Sequence, residues 1–287
     1  MDKIFENAAN FIWENARLLD RAIFEYYFLD GSPDRIKSTL RIYQNTDGGF
    51  GHALEPDLRA PDSQPVFVEY AMRTLHDCQL RDQDLAYRAC DFLSLHSDLA
   101  RGIPMVFPSS QAYPSADHMQ HASSLQPSMD RLVGLVGLVN WHAISHPWLP
   151  GAVETCLQYI ATGYFDDAHT IRTSFCLLES VSQQRTVDPL FDKLAKELIH
   201  ANFFNLETSI KTYGLTPLDL APHPASYCRR IFTDSQIEAH LGELFSQQQP
   251  DGGWPILWNP PGGIASFEWR AQRTVEALFT LHAYGKI

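Results

Sequence analysis

His52, Glu55, Asp57 and Asp62 stand close together in the stretch NTDGGFGHALEPDLRAPDSQP, residues 45–65. A carboxylate beside a second acid in a partly dry site has its pKa raised, which suits a general acid near neutral pH. These four are therefore the candidate catalytic residues. The competing reading is a solvated loop, with Asp57 paired to Arg59 and Asp62 capping the next helix.

Candidate ligand-binding residues fall in three places. Arg59 and Gln64 share the same loop. Near the C-terminus, Arg270 and Arg273 lie three apart, a spacing that lets two guanidinium groups grip a phosphate, sulfate or carboxylate. Glu268 is close by and offers, with Glu276, the alternative of plain salt bridges. Trp254 and Trp258, with Trp269, could wall a hydrophobic chain or a sugar ring, or could simply pack. Asp166, Asp167, His169 and Arg172 open a helical pattern, where an Asp-Asp pair also serves as a cap. No histidine pair at metal-ligand spacing has an acid to complete it, so no metal site is expected. The sequence names no cofactor, and Cys-His nucleophile chemistry has no local signature.

The elements that must position these residues are helices. Hydrophobic residues make up 45% and charged residues 20% of 287 positions, enough for a sizeable core. The net charge of -12, without a basic stripe, argues against a nucleic-acid partner. Five widely spaced cysteines form no CxxC pair and read as reduced, buried thiols. The acidic start MDKIFENAANFIWENARLL and the absence of a long apolar run predict a cytoplasmic protein with no transmembrane segment.

The quoted stretch has a counterpart in QQQPDGGWPILWNPPGGIASFEWRAQRTVEALFTLH. Gln44 precedes Asp47-Gly48-Gly49-Phe50 as Gln248 precedes Asp251-Gly252-Gly253-Trp254. Further on, Ala71–His76 and Ala277–His282 agree at four of six places, 24 and 26 positions after the respective aspartates. Each copy reads as helix, glycine turn, loop, helix. Outer helices are expected at 32–43, 83–97, 150–162 and 188–203 and around the Ile237, Leu241, Leu244 and Phe245 pattern, and inner ones at about 64–77, 127–145, 168–182 and 267–284. A further helix or pair covers 4–29, and no strand alternation appears. The expected fold is one all-α domain over 1–287, an α/α toroid of five to six helix pairs with a central cavity.

The segments LRIYQNTDGGFG and LFSQQQPDGGW resemble the repeat of the terpenoid cyclase and protein prenyltransferase superfamily, whose cyclase version is the QW motif. The resemblance implies an α/α toroid holding substrate near the N-terminal ends of the inner helices. The family's catalytic signatures are missing. There is no D-x-D-D run, since Leu85 follows Asp82-Gln83-Asp84. No cysteine has Asp two places before it, and Asp166-Asp167 lacks the final Asp of a D-D-x-x-D run. The length also covers one toroid, where alkene-protonating cyclases use two helical domains.

The expected function is thus a terpenoid cyclase- or prenyltransferase-like enzyme, or a protein derived from one. It would bind a small hydrophobic, isoprenoid-type or anionic ligand, and a partner subunit could complete the site. The alternatives are a carbohydrate-active toroid, either a glycoside hydrolase or a polysaccharide lyase, and a non-catalytic ligand-binding scaffold.

Overall fold

A computed structural model describes residues 3–210 and 212–287. In chain order its α-helices are α1 (Lys3–Asn15), α2 (Leu18–Phe28), α3 (Pro33–Tyr43), α4 (Pro65–Asp77), α5 (Gln83–His96), α6 (Asp117–Gln120) and α7 (Met129–Trp141). They continue with α8 (Leu149–Thr162), α9 (Ala168–Val181), α10 (Asp188–His200), α11 (Pro217–Leu220), α12 (Asp234–Ser246) and α13 (Gly263–Ala283). Among the described residues the remaining pairings are isolated bridges, with no strand ladder. Contacts group the chain into two compact units, one formed by residues 40–202 and the other by 1–39 with 203–287.

Local signals explain most boundaries. Pro33 and Pro65 open α3 and α4, where a missing N–H is harmless. Asp82 caps α5, and Thr233 with Gln236 forms a capping box on α12. The 4–29 pattern resolves into two helices broken at Ala16-Arg17, where the backbone turns extended. The helix expected from about 267 starts earlier, at Gly263, because the left-handed Gly262 after Pro260-Pro261 supplies the turn.

In the unit of residues 40–202, α4, α7 and α9 run in the same direction. Glu69 meets Arg131 and His76 meets Trp141 along α4 and α7. Along α7 and α9 a Cβ on Gly134 would lie 2.2 Å from Thr173 Oγ1, one on Gly137 would lie 2.4 Å from Leu177 N, and Asn140 donates to Ser180 Oγ at 2.9 Å. The glycines of LVGLVGLV thus let two backbones approach, and the leucines and valines on every other side are buried. In the other unit α13 packs against α1 and α2, and α12 against α11 and α13.

The two DGG turns make the same hydrogen bonds. Asp47 Oδ1 accepts from Gly49 N at 3.0 Å, and Asp251 Oδ1 from Gly253 N at 3.1 Å. Gln44 donates to Gly48 O and to Leu85 O in the first turn of α5; Gln248 donates to Gly252 O and to Ile4 O in the first turn of α1. Gly48 and Gly252 sit at φ +88° and +90°, and a Cβ there would come within 2.1 Å of Arg88 O and 2.2 Å of Asn7 O. Only glycine meets both demands. Phe50 and Trp254 cover the turns and are fully buried.

Candidate functional site

The loop that carries the candidate acids is zipped to residues 107–116. Ala116 N donates to Asp57 O, Arg59 N to Pro114 O, and Leu58 bridges Ser115. Glu55 and Asp57 are buried, Asp57 N donates to Glu55 Oε2 at 3.1 Å, and Asp57 Oδ2 lies 4.0 Å from His118 Nε2. His52 is exposed, left-handed at φ 59°, and bonds Asn45 Oδ1 at 3.0 Å. Asp62 is exposed, and the residue before α4 is Gln64. Gln64 is fully buried: its amide donates to Ser109 Oγ at 3.0 Å and accepts from Phe107 N at 2.6 Å, holding that segment against the helix start.

At the start of α9, Asp167 is the cap, accepting from His169 N at 2.7 Å and lying 3.0 Å from its Nδ1. Burial pushes its carboxyl up, but His169 outweighs this and holds it below the ordinary value. Asp166 is exposed, and its carbonyl accepts from Asn202 N. Asp130, at the start of α7, is pushed up by burial against the 2.7 Å bond from Tyr159, with Asp166 and Asp167 adding repulsion. His118 is held down by burial, with His169 and His121 adding to it.

Arg172 reaches across to Asp77 Oδ2 at 3.2 Å and so enters a group that sequence reasoning missed. His76 Nε2 lies 3.0 Å from Glu179 Oε2, and its Nδ1 lies 3.3 Å from Asp77 Oδ1. Arg73 lies 3.6 Å from Glu69, which also takes Arg131 at 3.3 Å. Burial pushes His76 down, yet Cys176, Asp77 and Glu179 more than offset it and hold the imidazole well above its ordinary value. Burial likewise pushes Asp77 up, and Arg172 and His76 override it downward. The available signal was periodic: Glu69, Arg73 and His76 on α4, and Arg172, Cys176 and Glu179 on α9, each follow i, i+4, i+7.

In the other unit Trp254 is packed into its turn, with N donating to Thr274 Oγ1 and Nε1 to Leu244 O. Trp258 and Trp269 stand edge to face at 5.2 Å, and Tyr213 meets Trp258 at 5.4 Å. Arg270 grips Asp251 with two bonds of 2.9 and 2.8 Å and lies 4.7 Å over Phe11, so its partner is the turn acid rather than Glu268 or Glu276. Arg273 bonds Asp219 and Glu276, each at 2.9 Å. The early start of α13 places both arginines two turns inside the helix, where the helix terminus adds no favourable dipole. Asp20 on α2 was also missed. It is 1% exposed, Arg17 is 3.1 Å from Oδ2, and Oδ1 has no partner. Burial, with Glu268 and Glu276, raises its carboxyl against the pull of Arg17.

Among the described residues no group of three His, Cys, Asp or Glu is arranged to hold a metal, and no helix is long and apolar enough to cross a membrane.

No family model and no curated protein matches the chain. Two solved structures do. A protein from Actinoplanes is 13% identical with a TM-score of 0.58 over 98% of both chains. The type II terpene cyclase MstE from Scytonema, a variant solved with its substrate geranylgeranyl dihydroxybenzoate, is also 13% identical, with a TM-score of 0.51 over 98% of this chain and 97% of that one. The fold is that of a terpenoid-cyclase-like α/α toroid. At this identity the likeness shows fold alone.

Proposed function

We propose that this chain is a terpenoid-cyclase-like enzyme that takes a hydrophobic, isoprenoid-type substrate in a cavity walled on one side by α4 and α9. One observation carries the reading. Helices α4 and α9 carry ionisable rows, Glu69–Arg73–His76–Asp77 and Arg172–Cys176–Glu179, beside buried apolar residues, and the contacts of His76 and Arg172 join them. Buried charges must be paired, and a cluster of paired groups with perturbed titration is a candidate functional site. The likeness to a cyclase that is solved with a geranylgeranyl compound supports the substrate class. We take the two DGG turns as copies of one repeat and the 287 residues as a single domain, in keeping with a likeness that spans 98% of the chain.

The test is a thermal-shift screen with geranylgeranyl diphosphate, a geranylgeranylated phenol carboxylate and an acidic oligosaccharide. A prenylated compound at 100 times its Kd should stabilise the protein by about 2.7 kcal/mol, a shift of several degrees, and Arg172→Ala should abolish that shift. Stabilisation by the oligosaccharide alone would replace this reading with the carbohydrate-active one. No shift with any compound would remove the substrate proposal.

A further inference from the structure

The loops that follow the two DGG turns differ in what they show to solvent. Residues 51–64 carry Glu55, Asp57, Arg59 and Asp62, and their Leu54, Leu58 and Ala60 are fully buried. Residues 252–267 hold no Asp, Glu, Lys, Arg or His over 16 positions, in a chain of net charge -12. This second loop turns apolar side chains outward. Leu257 lies in it, and Ile264 and Phe267, three apart near the start of α13, share a helix face. Phe203, Ile210 and Tyr213 join them from the segment before α11. The six side chains are 39–73% exposed, and all lie in the unit of residues 1–39 and 203–287. Ring contacts hold the two segments together: Phe203 meets Tyr213 at 5.9 Å, Tyr213 meets Trp258 at 5.4 Å, and Trp258 meets Trp269 at 5.2 Å. At about 200 Å² for a large side chain, the six expose on the order of 600 Å² of mostly apolar surface. That is the upper end of what the largest apolar patch on a monomer shows.

We propose that this surface docks a second copy of the chain, forming a two-fold homodimer through residues 203–213 and 257–267. Three observations select that occupant. The exposed area approaches the roughly 800 Å² that each partner brings to a standard interface, with the six side chains as its core. The composition, aromatic and aliphatic with charge excluded from 252–267, is that of a homodimer core. Charge decides the rest. Two bodies of net charge -12 repel, so they meet most easily where neither presents an acid. In a two-fold contact the same patch serves both copies, and an uncharged apolar patch is its own complement. A membrane surface fits less well, because peripheral attachment to anionic lipid draws on Lys and Arg beside the apolar face, and 252–267 has neither. The dimer would cover the N-terminal end of α13. The proposal stands on this surface and does not depend on the isoprenoid reading.

Sedimentation equilibrium of the full chain over roughly 1–100 μM should show a monomer–dimer equilibrium with a dissociation constant in or below that range. Ile264→Asp and Leu257→Asp place a charge on exposed positions, and an acid near a helix start suits the dipole, so both variants should keep their melting temperature. Each should weaken the dimer at least about tenfold. Leu29→Asp is the control: it is exposed too, but it follows Phe28, which meets His282 at the far end of α13, and it should leave the dimer intact. If Ile264→Asp fails to fold, Leu257→Asp in the loop decides alone. A chain that stays monomeric throughout the range overturns the proposal. So does a dimer that ignores both patch variants or loses as much to Leu29→Asp. Flotation of a monomeric chain with phosphatidylcholine vesicles, abolished by Ile264→Asp, would overturn it in favour of a lipid surface.

Discussion

Asp20 and Arg270 show how burial and pairing, rather than residue type, assign a charged side chain its work. Arg270 was legible as a cation able to hold an anion. Its anion is Asp251 of its own turn, a partner that only the approach of α13 to that turn reveals. In the other DGG turn the acid Asp47 instead takes the hydroxyl of Ser63, and Gln64, one place on, bonds residues 107 and 109. Asp20 carries no sequence signal at all, because nothing local marks a single acid on an amphipathic helix as buried. Its raised carboxyl has a definite consequence for pH dependence. The folded state prefers the protonated form. The penalty is absent below the ordinary carboxylate range, grows as pH rises through the raised folded-state value, and persists above it. Asp20→Asn removes the charge and keeps the shape. It should therefore stabilise the protein at neutral pH by about 1 kcal/mol, the scale of an unpartnered buried polar atom, and change little in acid. Melting at both pH values checks this. A fall of equal size at both would mean that the bond to Arg17 outweighs the burial term.

At the scale of elements, the helices were readable because their starts are marked by Pro, Asp, Ser and Thr and their faces by a 3.6-residue period. The short α6 and α11 and the three single-turn helices between 108 and 231 escaped notice, since segments this brief show no period. The glycine turns were legible as architecture for a physical reason that the structure makes quantitative. Gly48 and Gly252 combine a left-handed backbone with a carbonyl where a Cβ would stand, whereas Gly242 sits exposed within α12 with open space around it. Alanine should therefore act in opposite directions. Gly48→Ala and Gly252→Ala should each destabilise by roughly 2–3 kcal/mol, and Gly242→Ala should stabilise by roughly 0.5–1 kcal/mol. Chemical denaturation of the three variants checks both signs. Tolerance of alanine at 48 and 252 would contradict the close approach to α5 and α1.

For the whole molecule, the composition and the two DGG segments sufficed for the fold class, because the motif answers a demand that recurs wherever an outer helix must end and reverse. They did not mark the ionisable rows on α4 and α9. Those seven residues are scattered over more than a hundred positions, and only the parallel packing of α4, α7 and α9 brings them together. The topology makes one further demand. The unit of residues 1–39 and 203–287 is built from both ends of the chain, so its second glycine turn is completed by α1: Ile4 O takes Gln248, Asn7 O faces Gly252, and Phe11 lies under Arg270 and Gly253. Contacts of such sequence separation form late and carry a large loop-closure entropy, but once made they bury apolar surface on both partners. Deleting residues 1–15 should therefore expose segments 203–287 to proteolysis and speed their amide exchange, while 40–202, whose helices pair among themselves, keeps its protection. Equal protection of 203–287 in the deleted and intact chains would show that the turn at 251–254 holds without α1. Loss of protection throughout would show instead that the two units fold as one cooperative body.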